Sequence, residues 1–307
     1  MRRYSDRTVD IYGQVISDFL SLQADSLSDG DIVASLTPDR IRNYEVSLLD
    51  GRGLSSRTVN LHMSALNGFC RFLVAEGLLA SNPANMVIRP RMSRNLPVVY
   101  RQGTMDEYFR RTEHCALKEN LDLLKGDDET SVRLWKERRD RLIIRILYDT
   151  GIRRSELIGL DVASVDRGRK CIRVRGKGNK IREIPVSDAL LEEILLYLLA
   201  TAQIRGCGSG PEDPLLVTEK GARLYPMAVQ RVVVNELSLV GVTGRKSPHA
   251  LRHTIATGLL DAGTDINSIK EMLGHSSLAA TQVYTHTSVE KLKKSYINAH
   301  PRAKRGG

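Results

Sequence analysis

The feature that most restricts the fold of this chain is a β-hairpin pattern in a sequence whose other patterns are helical. Residues 171–175 and 181–186 alternate between apolar and polar side chains. The five residues between them, 176–180, carry two glycines and an asparagine, which favour the backbone conformations of a tight turn. Elsewhere apolar residues recur at helical spacing between capping signals. We therefore predict a mainly α fold with a small antiparallel β-sheet.

The first part of the chain, residues 1–88, is predicted to form a separate helical unit. Apolar residues of its first helix, Val9 and Phe19 among them, recur at helical spacing after a capping signal. Thr37 precedes a proline and an acidic residue, which together indicate a second helix start. A third helix starts within the serine pair at 55–56.

Residues 89–103 are predicted to form an extended basic linker between two domains. They contain four arginines, two prolines and no acidic residue. Such a linker would suit contact with a phosphate backbone, and a merely solvated linker is the alternative. Residues 104–307 would then form the second domain.

The composition favours a partner that carries many negative charges. Lys and Arg number 46 against 36 Asp and Glu, which gives a formal net charge of +10. This surplus favours a polyanion because neutralising phosphates releases condensed counterions, although many basic proteins bind no nucleic acid. Aromatic residues make up only 5% of the chain, which argues against base stacking on single strands and favours duplex DNA.

The sequence also bears on the location of the protein and on whether it has a metal site, disulfides or a cofactor. No apolar run approaches the ~20 residues that span a bilayer, and the N-terminus lacks the apolar core of a signal peptide. We therefore expect a cytoplasmic protein without membrane contact. The four cysteines include no CxxC pair, which argues against a zinc site or a disulfide framework. We expect reduced thiols and no cofactor.

Residues 247–286 carry side chains suited to cleaving a phosphodiester. The reaction requires neutralised non-bridging oxygens, a deprotonated nucleophile and a protonated leaving group. A guanidinium meets two phosphate oxygens at once, which suits Arg252 in this stretch and Arg153 in the motif TGIRRSEL. Lys177 at the hairpin tip suits a proton transfer. Tyr284 is a candidate nucleophile, although a single tyrosine is usually structural.

A metal site is the alternative interpretation of the histidines in this stretch. His249 and His253 have the i, i+4 spacing of metal ligands on a helix. However, no glutamate follows His249, and Arg252 would place a fixed positive charge beside the ion. We therefore expect no metal here, and we expect His253 to pack or hydrogen-bond within its helix.

Five motifs, in this order, closely resemble those of the tyrosine recombinases: TGIRRSEL, RGKGNKIREIPV, HALRHTIAT, LGHSS and TQVYTH. The N-terminal unit resembles the core-binding domain of that family, and the compact length and the tail are most similar to its Xer-type branch. The resemblance implies a helical core-binding (SAM-like) domain over 1–88. It implies a mostly helical catalytic domain with a small antiparallel β-sheet over 104–307.

The resemblance also implies a role for each matching residue. Arg153 and Arg252 would clamp the scissile phosphate, and Lys177 would protonate the leaving 5′ oxygen. Tyr284 would attack the phosphorus and form a 3′-phosphotyrosyl link. Because that link conserves the phosphodiester energy, the reaction would need neither ATP nor a metal ion.

Other matching residues would support these groups. His249 would assist proton transfer at the nucleophile, and His275 would hydrogen-bond the phosphate. Glu156 is expected to orient its neighbours rather than to react. The chain departs from the family pattern at Arg154, where an apolar residue is common, and in the segment 111–138, which is longer than in Xer proteins.

The implied reaction is conservative strand exchange through a Holliday junction within a DNA-bound tetramer, homomeric or heteromeric. In Xer proteins it resolves dimers of chromosomes or plasmids. A helix predicted over 288–298 would dock on a neighbouring subunit or, alternatively, pack on its own domain.

Three other functions are left open: a mobile-element integrase or transposase, a type IB topoisomerase that acts without synapsis, and a DNA-binding protein that has lost catalysis. We expect no further arm-binding domain before residue 6, which favours the Xer branch.

Overall fold

The chain divides into two compact units, Met1–Asn95 and Leu96–Gly307, which we call the N-terminal and C-terminal units. The predicted domain boundaries at 88 and 103 remain predictions. The structure is a computed structural model that describes residues 6–22, 29–91, 98–121, 124, 128–176 and 179–274.

Helices of the N-terminal unit pack around one apolar core. Two of them begin at the predicted caps: Thr37 accepts the backbone N–H of Arg40, and Ser55 accepts that of Thr58, both at 3.3 Å. These side chains satisfy donors that the first helical turn would otherwise leave unpaired. The elements are α1 (Asp6–Ser21), α2 (Asp29–Ser35), α3 (Pro38–Val46), a π-helical turn (Ser47–Gly51), α4 (Ser56–Ala75) and a 3-10 turn (Pro83–Met86).

One residue predicted for the core side of α1 lies outside the core. Val9 is 56% exposed, whereas Phe19 is fully buried. Val15 is four residues before Phe19 and is buried on the same face of the helix. Val9 is ten residues before Phe19, which places the two side chains about 80° apart around the helix axis. Helix α2 was not predicted, because its seven residues are too few to show a helical period.

The C-terminal unit is organised around the long helix α6. This helix packs against α8, α9 and α10, and every residue from 141 to 150 is buried. This helix has 22 residues and starts after the cap Asp128. The helices are α5 (Gln102–Arg111), α6 (Glu129–Thr150), α7 (Arg154–Ile158), α8 (Asp188–Arg205), α9 (Pro226–Ser238), α10 (Pro248–Asp261) and α11 (Ile266–Leu273).

The predicted hairpin is confirmed as part of a three-stranded antiparallel sheet of order β1-β2-β3. The strands are β1 (Val165–Asp166), β2 (Cys171–Arg175) and β3 (Ile181–Pro185). Asn179 has a φ of 62°, a left-handed conformation that asparagine tolerates in turns. Strand β1 was not predicted, because two residues cannot show an alternating pattern.

Both ends of the predicted linker pack against the unit that adjoins them. In the N-terminal unit, the Asn60 side-chain amide donates to the carbonyl of Pro90 at 2.9 Å. In the C-terminal unit, the backbone N–H of Tyr100 donates to Thr254 Oγ1 at 2.9 Å, and the Tyr100 ring belongs to the core. The predicted linker is therefore anchored at both ends.

All four cysteines lie in the described part of the chain as free thiols, and only Cys207 of these is exposed. Across that same part of the chain, no helix has the length and apolar character needed to cross a membrane.

Candidate active site

Arg153 lies at the N-cap of α7, directly after the corner with α6. Gly151 ends α6 with a φ of 61°, and a Cβ there would lie 2.6 Å from Leu273 Cδ2. Glycine therefore permits both the backbone conformation and the close approach of α11. Glu156 accepts the backbone N–H of Arg153 at 2.7 Å and its Nη1 at 2.8 Å. The Arg153 side chain is 34% exposed, so it remains accessible while it is held in place.

Arg252 lies on α10 and is buried, with 7% of its surface exposed. Its Nη1 donates to the carbonyl of Gly151 at 2.7 Å, and its Nη2 donates to the carbonyl of Leu273 at 2.6 Å. Burial, together with the nearby charge of Arg153, lowers the pKa of Arg252 to about 10. The guanidinium therefore stays positively charged at neutral pH.

Three arginines bind the carbonyl groups at the end of α11. The last carbonyls of a helix lack partners within it and carry partial negative charge, so guanidinium groups are favoured there. The structure thus brings the predicted residues Arg153 and Arg252 together at one helix end, and it adds Arg182. The pairs are Arg182 with Met272 (2.9 Å), Arg252 with Leu273 (2.6 Å) and Arg153 with Gly274 (2.8 Å).

Arg182 was missed by the sequence analysis, although its position carried a signal. It lies on β3 and is 7% exposed, while the preceding Ile181 is 58% exposed. Side chains two residues apart in a strand share a face, so Arg182 lies on the same side as the buried Ile184. An arginine on the buried face of a predicted strand indicates a partner carboxylate, which here is Glu156.

Positive charge exceeds negative charge at this site. Three guanidinium groups surround the carboxylate of Glu156 and helix carbonyls that carry no formal charge. Burial would raise the pKa of Glu156, but hydrogen bonds from Arg182 and Arg153 outweigh it and lower the pKa to about 2. The carboxylate is therefore ionised, and the remaining positive charge favours an oxyanion such as a phosphate.

His249 lies three residues before Arg252 on α10 and is exposed. Partial desolvation and then the charge of Arg252 lower the pKa of His249, so its neutral form predominates near pH 7 and can accept a proton. His253 is exposed as well. The expectation that His253 packs within its helix is wrong, because the residue is exposed on the same outward face as His249. The alternative, a hydrogen bond within the helix, stays a prediction.

Three predicted site residues, Lys177, His275 and Tyr284, lie outside the described residues, as does the helix predicted over 288–298. Their roles remain predictions.

A possible metal site occurs elsewhere in the described part of the chain. Ligand atoms of His114, Cys115 and Glu137 all lie within 4.8 Å of one another. They line a cavity of about 10 Å³ together with Arg138, which is 4% exposed. The fixed charge of Arg138 beside this cavity opposes a cation, so we assign no metal ion to it.

The fold and the site define a class of protein: a mainly helical chain in which arginines of separate motifs converge with a surplus of positive charge. Comparison with known families identifies that class. Residues 123–291 match the phage integrase family, and residues 1–77 match the phage integrase N-terminal SAM-like domain. The chain therefore belongs to the phage integrase family, that of the tyrosine recombinases.

Relatives that match nearly the whole chain show which type of tyrosine recombinase it resembles. The chain is similar to tyrosine recombinase XerC of Chlorobaculum parvum, with 34% identity over 98% of this chain and 91% of the relative. It is similar to XerC of Mycobacterium sp. (strain JLS), with 36% identity over 98% of this chain and 95% of the relative. Its fold is similar to that of XerH bound to palindromic difH substrate in a post-cleavage complex (TM-score 0.62, 21% identity, 95% of this chain, 78% of that chain). The predicted fold class and family are confirmed, and the protein is a site-specific DNA recombinase of Xer-like type.

Proposed function

We propose that this protein cuts and rejoins duplex DNA through a 3′-phosphotyrosyl intermediate and a Holliday junction, with Arg153 and Arg252 as the clamp for the scissile phosphate. The observation that carries the proposal is their convergence at the end of α11 with positive charge in surplus. Negative charge spreads over the phosphate oxygens in the transition state, and guanidinium groups held in place stabilise it without reorganisation. Because Arg252 is buried and bonded to two carbonyls, its orientation is set before DNA binds.

The proton transfers would be divided between two sides of the phosphate. The Tyr284 oxygen forms a bond to phosphorus, the bond from phosphorus to the 5′ oxygen breaks, and that oxygen takes a proton from Lys177. The lowered pKa of His249 supports its role in accepting the tyrosine proton. His275 would hydrogen-bond the phosphate. Since the tyrosyl link conserves the bond energy and side chains neutralise the phosphate, the reaction would need neither ATP nor a metal ion.

The protein would act on DNA in the cytoplasm as a homo- or heterotetramer whose C-terminal helices are exchanged between subunits. The similarity to XerC proteins over the full chain supports a role in resolving chromosome or plasmid dimers. A mobile-element integrase would use the same chemistry on a different pair of DNA sites.

The test begins by selecting bound fragments from random duplexes, which gives a cognate site. A nicked suicide duplex that carries this site should trap wild-type protein as a covalent complex on a denaturing gel. Tyr284→Phe should form none, whereas Tyr225→Phe, an exposed tyrosine at the start of α9, should cleave like wild type. If wild type traps nothing on any selected site, the proposal fails. Relaxation of a supercoiled plasmid that lacks the site would indicate a topoisomerase instead.

A further inference from the structure

Arg182 is buried, and each of its three guanidinium nitrogens donates a hydrogen bond. Its Nη1 and Nη2 donate to the two oxygens of Glu156 at 3.0 and 2.9 Å, and its Nε donates to the carbonyl of Met272 at 2.9 Å. Because both Nη groups pair with the carboxylate of Glu156, the charge of Arg182 is already matched, whereas Arg252 bonds only carbonyls without formal charge. We therefore assign no phosphate-clamp role to Arg182. Its contacts are with other parts of the site.

Two glycines pack directly against the Arg182 guanidinium. A Cβ on Gly176 would lie 3.3 Å from Arg182 Nη1 and 3.6 Å from Glu156 Oε1. A Cβ on Gly274 would lie 3.1 Å from Arg182 Cζ. Gly176 immediately precedes Lys177 in the chain, and Gly274 immediately precedes His275. The guanidinium thus lies against the last described residue before each of two predicted catalytic groups.

Glu156 extends the same unit to the phosphate clamp. Its Oε1 accepts from both Arg182 and Arg153, and its Oε2 accepts from Arg182 and from the backbone N–H of Arg153. One ion pair therefore joins the start of α7, the base of the β2–β3 hairpin and the end of α11.

We propose that Arg182 and Glu156 form a positioning unit that holds Gly176 and Gly274 in register with Arg153 and Arg252. Through these glycines the unit would support the catalytic action proposed for Lys177 and His275, the residues that follow them in the chain. This inference rests on the proposed function. A buried ion pair is a weak source of stability, because desolvation offsets most of its Coulomb energy, so its geometry is the more informative property. A planar fork that bonds both carboxylate oxygens and a carbonyl fixes direction as well as distance, which a lysine ammonium cannot do.

The first test is Arg182→Lys, which keeps the charge and removes the fork. A displacement of about 1 Å can lower a rate about 100-fold, and we expect a loss of that order in covalent trapping on the selected duplex. DNA affinity should change little. Arg173→Lys is the matched control, because Arg173 lies on the adjacent strand β2 of the same hairpin and is exposed. Circular dichroism at the assay temperature establishes that each variant is folded.

Chemical rescue separates positioning from a general structural defect. A duplex with sulfur in place of the leaving 5′ oxygen needs no proton from Lys177, since a thiol (pKa about 8.5) is a far stronger acid than an alcohol. If Arg182 positions Lys177, the cleavage deficit of Arg182→Lys should shrink roughly tenfold or more on the sulfur duplex, in parallel with that of Lys177→Ala. An equal deficit on both duplexes, or no deficit on either, would overturn the inference.

Gly176→Ala provides a second variant if Arg182→Lys does not fold. The φ of Gly176 is not positive, so alanine adds a contact with Arg182 without backbone strain. It should reproduce the rescuable deficit. Gly168→Ala, in the β1–β2 turn, is its control, because the nearest atom would lie 3.7 Å from the added Cβ. If wild type forms no covalent complex, or Lys177→Ala has no deficit on the oxygen duplex, the proposed function fails instead.

Discussion

The C-terminal unit contains two clusters of buried arginines that differ in charge balance. Three of the four buried arginines on α6, which we call the α6 cluster, pair with carboxylates: Arg139 with Asp140, Arg141 with Glu193, and Arg145 with Asp149 and Glu193. The fourth, Arg138, donates to the carbonyl of Leu117 instead. In the α11-end cluster, Arg153 and Arg182 share the carboxylate of Glu156, while Arg252 bonds two carbonyls. The first cluster is nearly neutral, and the second keeps a positive surplus.

The difference lies in charge balance: the arginines of the α6 cluster are neutralised within the fold, whereas the α11-end cluster keeps the positive surplus on which the proposed phosphate clamp depends. In the α6 cluster, aromatic rings also cover the guanidinium groups: Arg139 lies 5.1 Å from the centroid of the Trp135 ring, and Arg141 lies 5.3 Å from that of Phe109. An arginine that is already neutralised and covered has little to offer a phosphate. Burial alone therefore does not distinguish the two clusters, whereas their charge balance does.

The largest effect that tests this contrast is loss of chemistry in the α11-end cluster. Arg252→Ala should lower strand cleavage about 10³–10⁵-fold, the range that arginine contributes to phosphoryl transfer, while DNA binding is largely retained. Covalent trapping and gel shift on the same duplex measure the two properties. Equal loss of binding and cleavage would count against the clamp role of Arg252.

For the α6 cluster we expect a substitution to lower stability and to leave cleavage unchanged. Arg145→Ala leaves carboxylates buried without their cation, which should lower the free energy of unfolding by about 3–5 kcal/mol. Cleavage by the folded fraction should be unchanged. Urea unfolding measures the stability, with Arg169→Ala as control, because its ion pair with Glu183 is exposed and contributes at most about 1 kcal/mol. A large cleavage defect in folded Arg145→Ala would contradict the contrast.

The pH dependence of stability sharpens the contrast at Glu156. Its pKa is about 2 in the folded protein against 4.5 ordinarily, so its contribution is present above pH 4.5 and is lost as the pH falls towards 2. As the pH falls from 7 to below 2, the stability of wild type relative to Glu156→Gln should therefore decrease by an amount on the order of 3 kcal/mol. Unfolding in urea at a series of pH values measures it. Asp39→Asn, an exposed carboxylate, should show only a small difference throughout; a constant difference for Glu156→Gln would argue against the depressed pKa.

The smallest effect concerns His249, which lies outside both clusters. Because its pKa is lowered, the neutral form should persist below pH 6.5, and the acid limb of the cleavage rate should lie below that value. Single-turnover cleavage between pH 5 and pH 8 measures this acid limb. Near neutral pH we expect the cleavage rate to change by less than about tenfold. His253→Ala is the matched control on the same helix face. An acid limb that is unaltered in His249→Ala would exclude His249 as its source.

Much of the fold was predictable because local chemistry decides it. The caps at Thr37 and Ser55 and the hairpin around 176–180 depend on neighbouring residues, and the structure confirms them. The continuity of α6 was not predictable, because its first half is polar and gains its helical stability from packing. The outward position of Val9 likewise depends on which face the other helices cover.

The sequence by itself determined the family, the mainly α fold and the identities of Arg153, Arg252 and Glu156, because residue order within motifs is a property of the chain. Only the tertiary structure decided that Arg153, Arg182 and Arg252 meet at the end of α11, and that one carboxylate serves two of them. Charge balance depends on distances between segments far apart in sequence. Those distances exist only once α6, α10, α11 and the hairpin have packed together.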